Sequence, residues 1–217
     1  MEKDKLPRAI SCRSTAKFRL RSFHHGNLRQ ELIDAALAAP EIVGLSLRQL
    51  AASLGVTAAA AYRHFDSRED LLFEVARTGF NLLRQRFASA FDITVPPSDA
   101  QEARHRLSRL ACAYLQFADD EPAVWRLIFG AQVEAYRQRV DAEGEPDSYE
   151  YLPAALLGLY SQGVIPTAPS ERDALFAWSA VHGAATVRSG RVPAALISIP
   201  ELANEVAERV IRAMKHE

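Results

Sequence analysis

Residues 46–65 read SLRQLAASLGVTAAAAYRHF, and the reading of this stretch decides the fold. Ser46-Leu47-Arg48-Gln49 is a capping-box pattern, a hydroxyl that closes a first helical turn with Gln three residues on. Leu47, Leu50, Ala51 and Leu54 then recur at helical spacing and give that helix a buried side. Gly55 is placed to supply the positive φ of a tight exit, and Thr57 caps a second short helix. A short helix, a tight turn with Gly and a second helix are the parts of a helix-turn-helix, whose second helix enters the major groove. An ordinary helical hairpin shares these signals, so the pattern alone leaves both readings open. The four alanines at 58–61 sharpen the question, because alanine has no donor or acceptor with which to read a base edge.

Working outward, Asn27 is an N-cap candidate with Gln30 three residues later. Leu28, Leu32, Ala35, Ala36 and Ala39 form an apolar stripe that stops at Pro40, a helix able to prop the other two. On the other side Ser67-Arg68-Glu69-Asp70 is a second box. It opens a long helix with Leu71, Leu72, Val75, Phe80, Leu83 and Phe87 along it. Pro96-Pro97-Ser98-Asp99 is a break between structural units. Helical blocks follow near 100–118, 122–141, 149–163, 171–190 and 200–215. No segment alternates apolar and polar for long enough to make a strand, so the chain reads as all-α with about nine helices.

Charge is divided unevenly. Residues 1–67 carry ten Lys/Arg against six Asp/Glu, whereas the remainder carries sixteen against twenty-one. A basic end on an acidic body suggests that the first part meets a polyanion. Residues 1–22, with seven basic and two acidic side chains and no helical period, read as a mobile arm. A hydrophobic content of 48 % and a charged content of 24 % are those of a globular protein. No apolar run approaches the ~18 residues of a membrane span, and no signal-peptide pattern opens the chain. Cys12 and Cys112 form no CxxC pair, as in a reduced cytoplasmic protein. The six histidines lack the ligand spacing of a zinc site, so no metal or cofactor is expected. No nucleophile–base pair or carboxylate dyad is visible, which argues against an enzyme.

FHHGNLRQELIDAAL at 23–37 and SLRQLAASLGVTAAAAYRHFDSREDLL at 46–72 resemble the N-terminal domain of TetR-type transcriptional regulators. The Y-x-H-F-x-x-K-x-x-L signature of that family falls on Tyr62, His64, Phe65, Arg68 and Leu71. PAVWRLIFG at 122–130 and WSAVHG at 178–183 resemble the subgroup with a Trp…His-Gly (WHG) motif in a C-terminal ligand-binding domain. Two features depart from the family: a shorter link, AAPEIVGLS, between the first two helices, and alanine at all four positions 58–61. The implied organisation is an arm at 1–22, a helix-turn-helix domain at 23–70, and a ligand-binding and dimerisation domain at 71–217 with helix 71–91 connecting.

Resemblance and chemistry together assign the DNA contacts. Thr57, Tyr62, His64 and Arg68 are candidates for phosphates. Arg48 suits a phosphate or a guanine, and Arg63 is the first candidate for a direct base contact. Ala58 and Ala59 are expected to face the groove, packing on thymine methyls, while Ala61 packs in the core. Arg19 and Arg21 of the arm are placed to enter an adjacent minor groove, and a phosphate or helix-start role suits His24-His25.

The resemblance also implies an effector site in the C-terminal domain, with Tyr114, Phe117, Trp125, Phe129, Trp178 and His182 as candidates. Aromatic stripes at helical spacing serve equally as core. Leu202, Val206, Val210 and Met214 form an i, i+4 stripe on the last helix, and Ala180, Gly183, Ala184 and Val187 on the preceding one allow close approach. In the resembled family these two helices pair across a two-fold axis. The implied protein is a homodimeric repressor that binds a palindromic operator on double-stranded DNA in the cytoplasm. A small, largely apolar effector of unknown identity would release it. The alternatives are a weakly specific DNA-binding dimer without an effector, and an all-α enzyme.

Overall fold

Side-chain caps start most of the helices, and they stand where the sequence places them. The computed structural model describes residues 27–130, 148–190 and 196–215. Nine α-helices lie among the described residues, and no strand does. They are α1 (Leu28–Leu37), α2 (Leu47–Ser53), α3 (Ala58–Ala61), α4 (Arg68–Ala90), α5 (Ala100–Asp120), α6 (Pro122–Phe129), α7 (Tyr151–Ser161), α8 (Glu171–Gly190) and α9 (Ile199–Ala213). A 3-10 turn, Ser148–Glu150, leads into α7. Asn27, Ser46 and Thr57 accept from the amides of Gln30, Gln49 and Ala60 at 3.3, 3.2 and 3.2 Å. Ser67 accepts from the Asp70 amide at the start of α4, and Gly55 has φ +70°.

Three expectations change. The first helix ends at Leu37 rather than running to Pro40. A proline disfavours helical backbone in the residue before it, so the last turn tightens, with the Ala39 amide on the Ala36 carbonyl. The block expected over 122–141 is interrupted, its first helix ending at Phe129 where Gly130 turns to extended backbone. Residues 131–147 lie outside the described residues, as do Cys12, Arg19, Arg21, His24 and His25. The packing also divides differently from a boundary at residue 70. Among the described residues one compact unit comprises 27–84, 120–130 and 148, and the other comprises 85–119, 149–190 and 196–215.

The first unit is organised by what α1, α2 and α4 bury. Leu32, Ile33 and Ala36 meet Ile42, Leu47, Leu50 and Ala51, with Ala61, Phe65, Leu71 and Val75 completing the core. Glu74 is buried in this unit, and its carboxylate is held by Arg29 at 2.9 Å and Arg77 at 2.6 Å. That pairing offsets the cost of burying the charge. The α4–α6 approach is set by Gly79. A Cβ there would stand 2.6 Å from Val124 Cγ1 and 3.1 Å from Ile128 Cγ2.

The second unit is built around α5, most of whose side chains are buried. Arg109 donates through Nε to the Ala90 carbonyl at 2.9 Å, satisfying an orphan acceptor at the end of α4. Glu102 holds both Arg106 and Arg109. Ser198 and Glu201 form a complete capping box on α9, and Arg104 reaches Glu208 with two bonds of 3.1 and 2.9 Å.

Candidate nucleic-acid interface and ligand cavity

The helix-turn-helix of the first unit leaves most of its candidate contact residues open to solvent. Arg48 and Gln49 on α2, Thr57, Ala59, Tyr62, Arg63 and His64 are all exposed, while Ala61 and Phe65 are buried. Burial therefore sorts the alanines as the helical period requires: Ala58 and Ala60 half-covered, Ala59 open, Ala61 in the core. The Thr57 hydroxyl, in accepting from Ala60, fixes the start of α3 and keeps a proton to donate.

α3 is shorter than the sequence suggests. Its helical assignment covers only the four alanines, and Tyr62–His64 follow as a turn. Arg63 and His64 donate to Ala60 and Ala61, three residues back, at 3.3 and 2.9 Å. Arg63 thus stands in a tight turn after the helix, not inside it, and the turn brings Tyr62, Arg63 and His64 out beside one another. Phe65 then plugs into the core with the Arg29 guanidinium 5.3 Å from its ring centroid.

Arg68 has a different employment from the one expected. Its Nε donates to the Leu45 carbonyl at 2.7 Å, one terminal nitrogen donates to the Val43 carbonyl, and the other meets Glu69 at 3.3 Å. The side chain ties the start of α4 to the loop before α2. A guanidinium committed to two backbone carbonyls is a structural clamp, and Arg68 is withdrawn from the phosphate contacts.

The second unit carries an open cleft whose empty space, open solvent included, is about 410 Å³. Phe87 of α4, Leu107, Leu110, Ala111 and Tyr114 of α5, and Leu152 of α7 form part of its wall. Ala177, Trp178 and Val181 of α8 and Val206, Ala207 and Val210 of α9 complete it. Tyr114 packs edge-on against Trp178 with centroids 5.1 Å apart, and its hydroxyl lies 2.7 Å from Nδ1 of His182. Burial holds the His182 imidazole below its ordinary value of 6.5.

Of the six candidates for this site, the cavity wall takes Tyr114 and Trp178, and His182 stands behind Tyr114. Phe117 is fully buried with Arg86 5.6 Å from its ring and is core. Trp125 and Phe129 belong to the other unit, where Phe129 packs on Phe80 with centroids 6.1 Å apart. The aliphatic wall was missed, although Leu107, Leu110, Ala111 and Tyr114 stand at i, i+3, i+4 and i+7, one helical face.

The expected interface stripes also redistribute. On α9 the buried strip is Ala203, Ala207, Val210, Ile211 and Met214. Val210 and Met214 therefore face their own subunit, and Val206 lines the cavity. The helix carries two adjacent apolar strips, and spacing alone does not say which is inward. On α8 the open face carries Leu175, Phe176 and Val187 at 62, 51 and 53 % exposure, with Gly183 also open. Ala180 and Ala184 are half-covered.

Two family models match the sequence in order along the chain. Residues 32–75 match "Bacterial regulatory proteins, tetR family", and residues 107–214 match "Tetracyclin repressor-like, C-terminal domain". The chain belongs to the TetR family of transcriptional regulators. It is similar to the HTH-type transcriptional regulators Rv1816 of Mycobacterium tuberculosis and Mb1846 of Mycobacterium bovis, each 32 % identical over 113 residues. That match covers 52 % of this chain and 44 % of each relative, so the chain spans under half the length of these relatives.

Among solved structures, a Rhodococcus sp. RHA1 protein of unknown function superposes with a TM-score of 0.67 at 27 % identity, over 91 % of this chain and all of that one. The Thermus thermophilus TetR-family regulator PfmR superposes with a TM-score of 0.63 at 21 % identity. That likeness covers 84 % of this chain and 97 % of PfmR, and it concerns the fold. The names attached to the family and its curated relatives are those of DNA-binding regulators, not of enzymes. No helix among the described residues is long and apolar enough to cross a membrane.

Proposed function

We propose that this TetR-family regulator is a cytoplasmic, homodimeric repressor that leaves its operator when a small molecule occupies the cavity of the second unit. What supports the DNA contact is that Arg48, Thr57, Tyr62, Arg63 and His64 are each exposed on the second and third helices of a capped helix-turn-helix and the turn that follows. Thr57, Tyr62 and His64 suit phosphates, and Arg48 and Arg63 suit base edges. Ala58 and Ala59 let the backbone come close and offer methyls to thymine. Direct readout is therefore carried by few side chains, and DNA shape, with Arg19 and Arg21 of the arm, supplies the rest.

The exposed apolar face of α8, Leu175, Phe176, Gly183 and Val187, supports pairing with a second copy, joined by the half-covered Ala180, Ala184 and Leu202. A two-fold dimer calls for a palindromic operator. Trp178 and His182-Gly183 favour the Trp…His-Gly (WHG) subgroup. Release follows if the effector binds better to a conformation whose heads do not match the half-site spacing.

The test is footprinting of the DNA upstream of the protein's own coding region, with the wild type and with Val187→Glu. Protection of two symmetric half-sites by a wild-type dimer, lost in a folded monomeric variant, is the expected result. Equal affinity for this DNA and for random DNA would reduce the function to weakly specific binding.

A further inference from the structure

We infer that Arg29, in the first turn of α1, is a further phosphate contact of the DNA-binding head, a guanidinium held against the Phe65 ring next to the Tyr62–His64 turn. This role rests on the DNA-binding reading above and deepens it. Arg29 stands before residues 32–75, the stretch that matches the tetR-family model, so that match assigns it nothing.

The Glu74 carboxylate takes one guanidinium on each oxygen, Arg29 on Oε1 at 2.9 Å and Arg77 on Oε2 at 2.6 Å. A single guanidinium already supplies the countercharge that a buried carboxylate needs. Two of them leave the cluster with a surplus positive charge. Arg29 is the more exposed of the pair, its side chain 43 % accessible against 34 % for Arg77.

Its Cζ lies 5.3 Å from the centroid of the Phe65 ring. Phe65 is buried and directly follows His64, the last residue of the exposed turn. The charge of Arg29 is thereby fixed against the residue that anchors this turn in the core. Phosphates recur about every 3.4 Å of helix axis along one DNA strand, so cations one residue's packing apart can engage neighbouring phosphates.

A guanidinium is planar, stacks on an aromatic face and carries several donors in a fixed fork. One terminal nitrogen of Arg29 meets Glu74, and no further hydrogen bond of this side chain occurs among the described residues. Its other N–H groups are open to an acceptor. Ring and carboxylate hold the long side chain before DNA arrives, so a phosphate contact costs little ordering.

Anisotropy of the full-length protein on the footprinted upstream DNA and on random duplex, across a potassium chloride series, tests this. Arg29→Gln keeps a stem over the ring and a donor for Glu74 but has no charge. Its slope of log affinity against log salt should be shallower by about one per bound head, with equal fold-losses on both DNAs. Glu74→Gln is the structural control, because it removes the carboxylate that holds the guanidinium and leaves the charge. Its slope should stay at the wild-type value or steepen. Should Arg29→Gln not fold, phenylglyoxal modification of the wild type decides, read by peptide mass spectrometry. Saturating random DNA should then protect Arg29.

A wild-type slope in folded Arg29→Gln overturns the phosphate contact and leaves the regulator reading standing. Equal modification of Arg29 with and without DNA does the same. Equal slope losses in Arg29→Gln and Glu74→Gln would show that Arg29 acts only by positioning Phe65, which also overturns a direct contact. A larger fold-loss on the upstream DNA than on random duplex overturns it in favour of a base contact. Wild-type protein that binds neither DNA in a salt-dependent way overturns both readings together.

Discussion

Nε of Arg68 donates to the carbonyl oxygen of Leu45 at 2.7 Å, across 23 residues of sequence. The residue that aligns with a basic position of the family signature thus belongs to the framework of the head. Arg68→Ala should lower unfolding stability by about 1–3 kcal/mol, because the loop carbonyls lose their donors. The dependence of operator affinity on salt should keep its slope. A loss of about one in that slope, measured by anisotropy across a salt series, would instead mark Arg68 as a phosphate ligand.

Arg48 and Arg63 behave oppositely. Both are exposed, so alanine at either should leave stability within about 0.5 kcal/mol of wild type. Operator affinity should fall by about 1–3 kcal/mol per site, with a smaller loss on random DNA. Equal losses on both DNAs would assign the contact to phosphate.

Gly79 allows α4 and α6 to touch. In Gly79→Ala the new methyl would meet Val124 Cγ1 at 2.6 Å, and overpacking of this kind costs about 1–3 kcal/mol. Val124→Ala added to the same chain should recover part of that loss. Strict additivity in the double-mutant cycle would show that the two residues do not share the contact.

Caps and turns were legible in the sequence because each depends on a few adjacent residues. Asn27, Ser46, Thr57, Ser67 and Gly55 all do what their local chemistry requires. The helix-turn-helix was legible for the same reason, and so was the burial of Ala61 one turn before Phe65. What was hidden depended on distant partners. Nothing near Arg68 announces the carbonyls of Val43 and Leu45, and nothing in the α9 pattern says which of its two apolar strips turns inward. The cavity wall draws on five helices, and periodic faces such as Leu107 to Tyr114 on α5 and Val206 with Val210 on α9 do not say that they meet.

His182 carries a pH dependence of definite sign. Its imidazole is held below 6.5 by burial, so the unfolded chain takes up its proton at a higher pH than the folded one. Stability from this group is intact above about pH 6.5. It is lost as pH falls from there toward the folded value, below which no further loss occurs. His182→Gln should flatten that part of the curve in denaturant titrations between about pH 7 and 5. An acid limb identical to wild type would remove His182 from the account.

The four-residue length of α3 has a thermodynamic consequence. A single alanine turn cannot sustain itself as an isolated helix, because nucleation costs more than one turn returns. It exists because Ala61 and Phe65 are anchored in the core of the head. The surface proposed to meet DNA is therefore only as populated as that core is folded. Substitutions that loosen the packing beneath it will weaken operator binding in proportion to the fraction of heads in which the turn has come undone, without touching a base. On this reading the apparent affinity for DNA is the intrinsic affinity scaled by the fraction of heads that are locally folded.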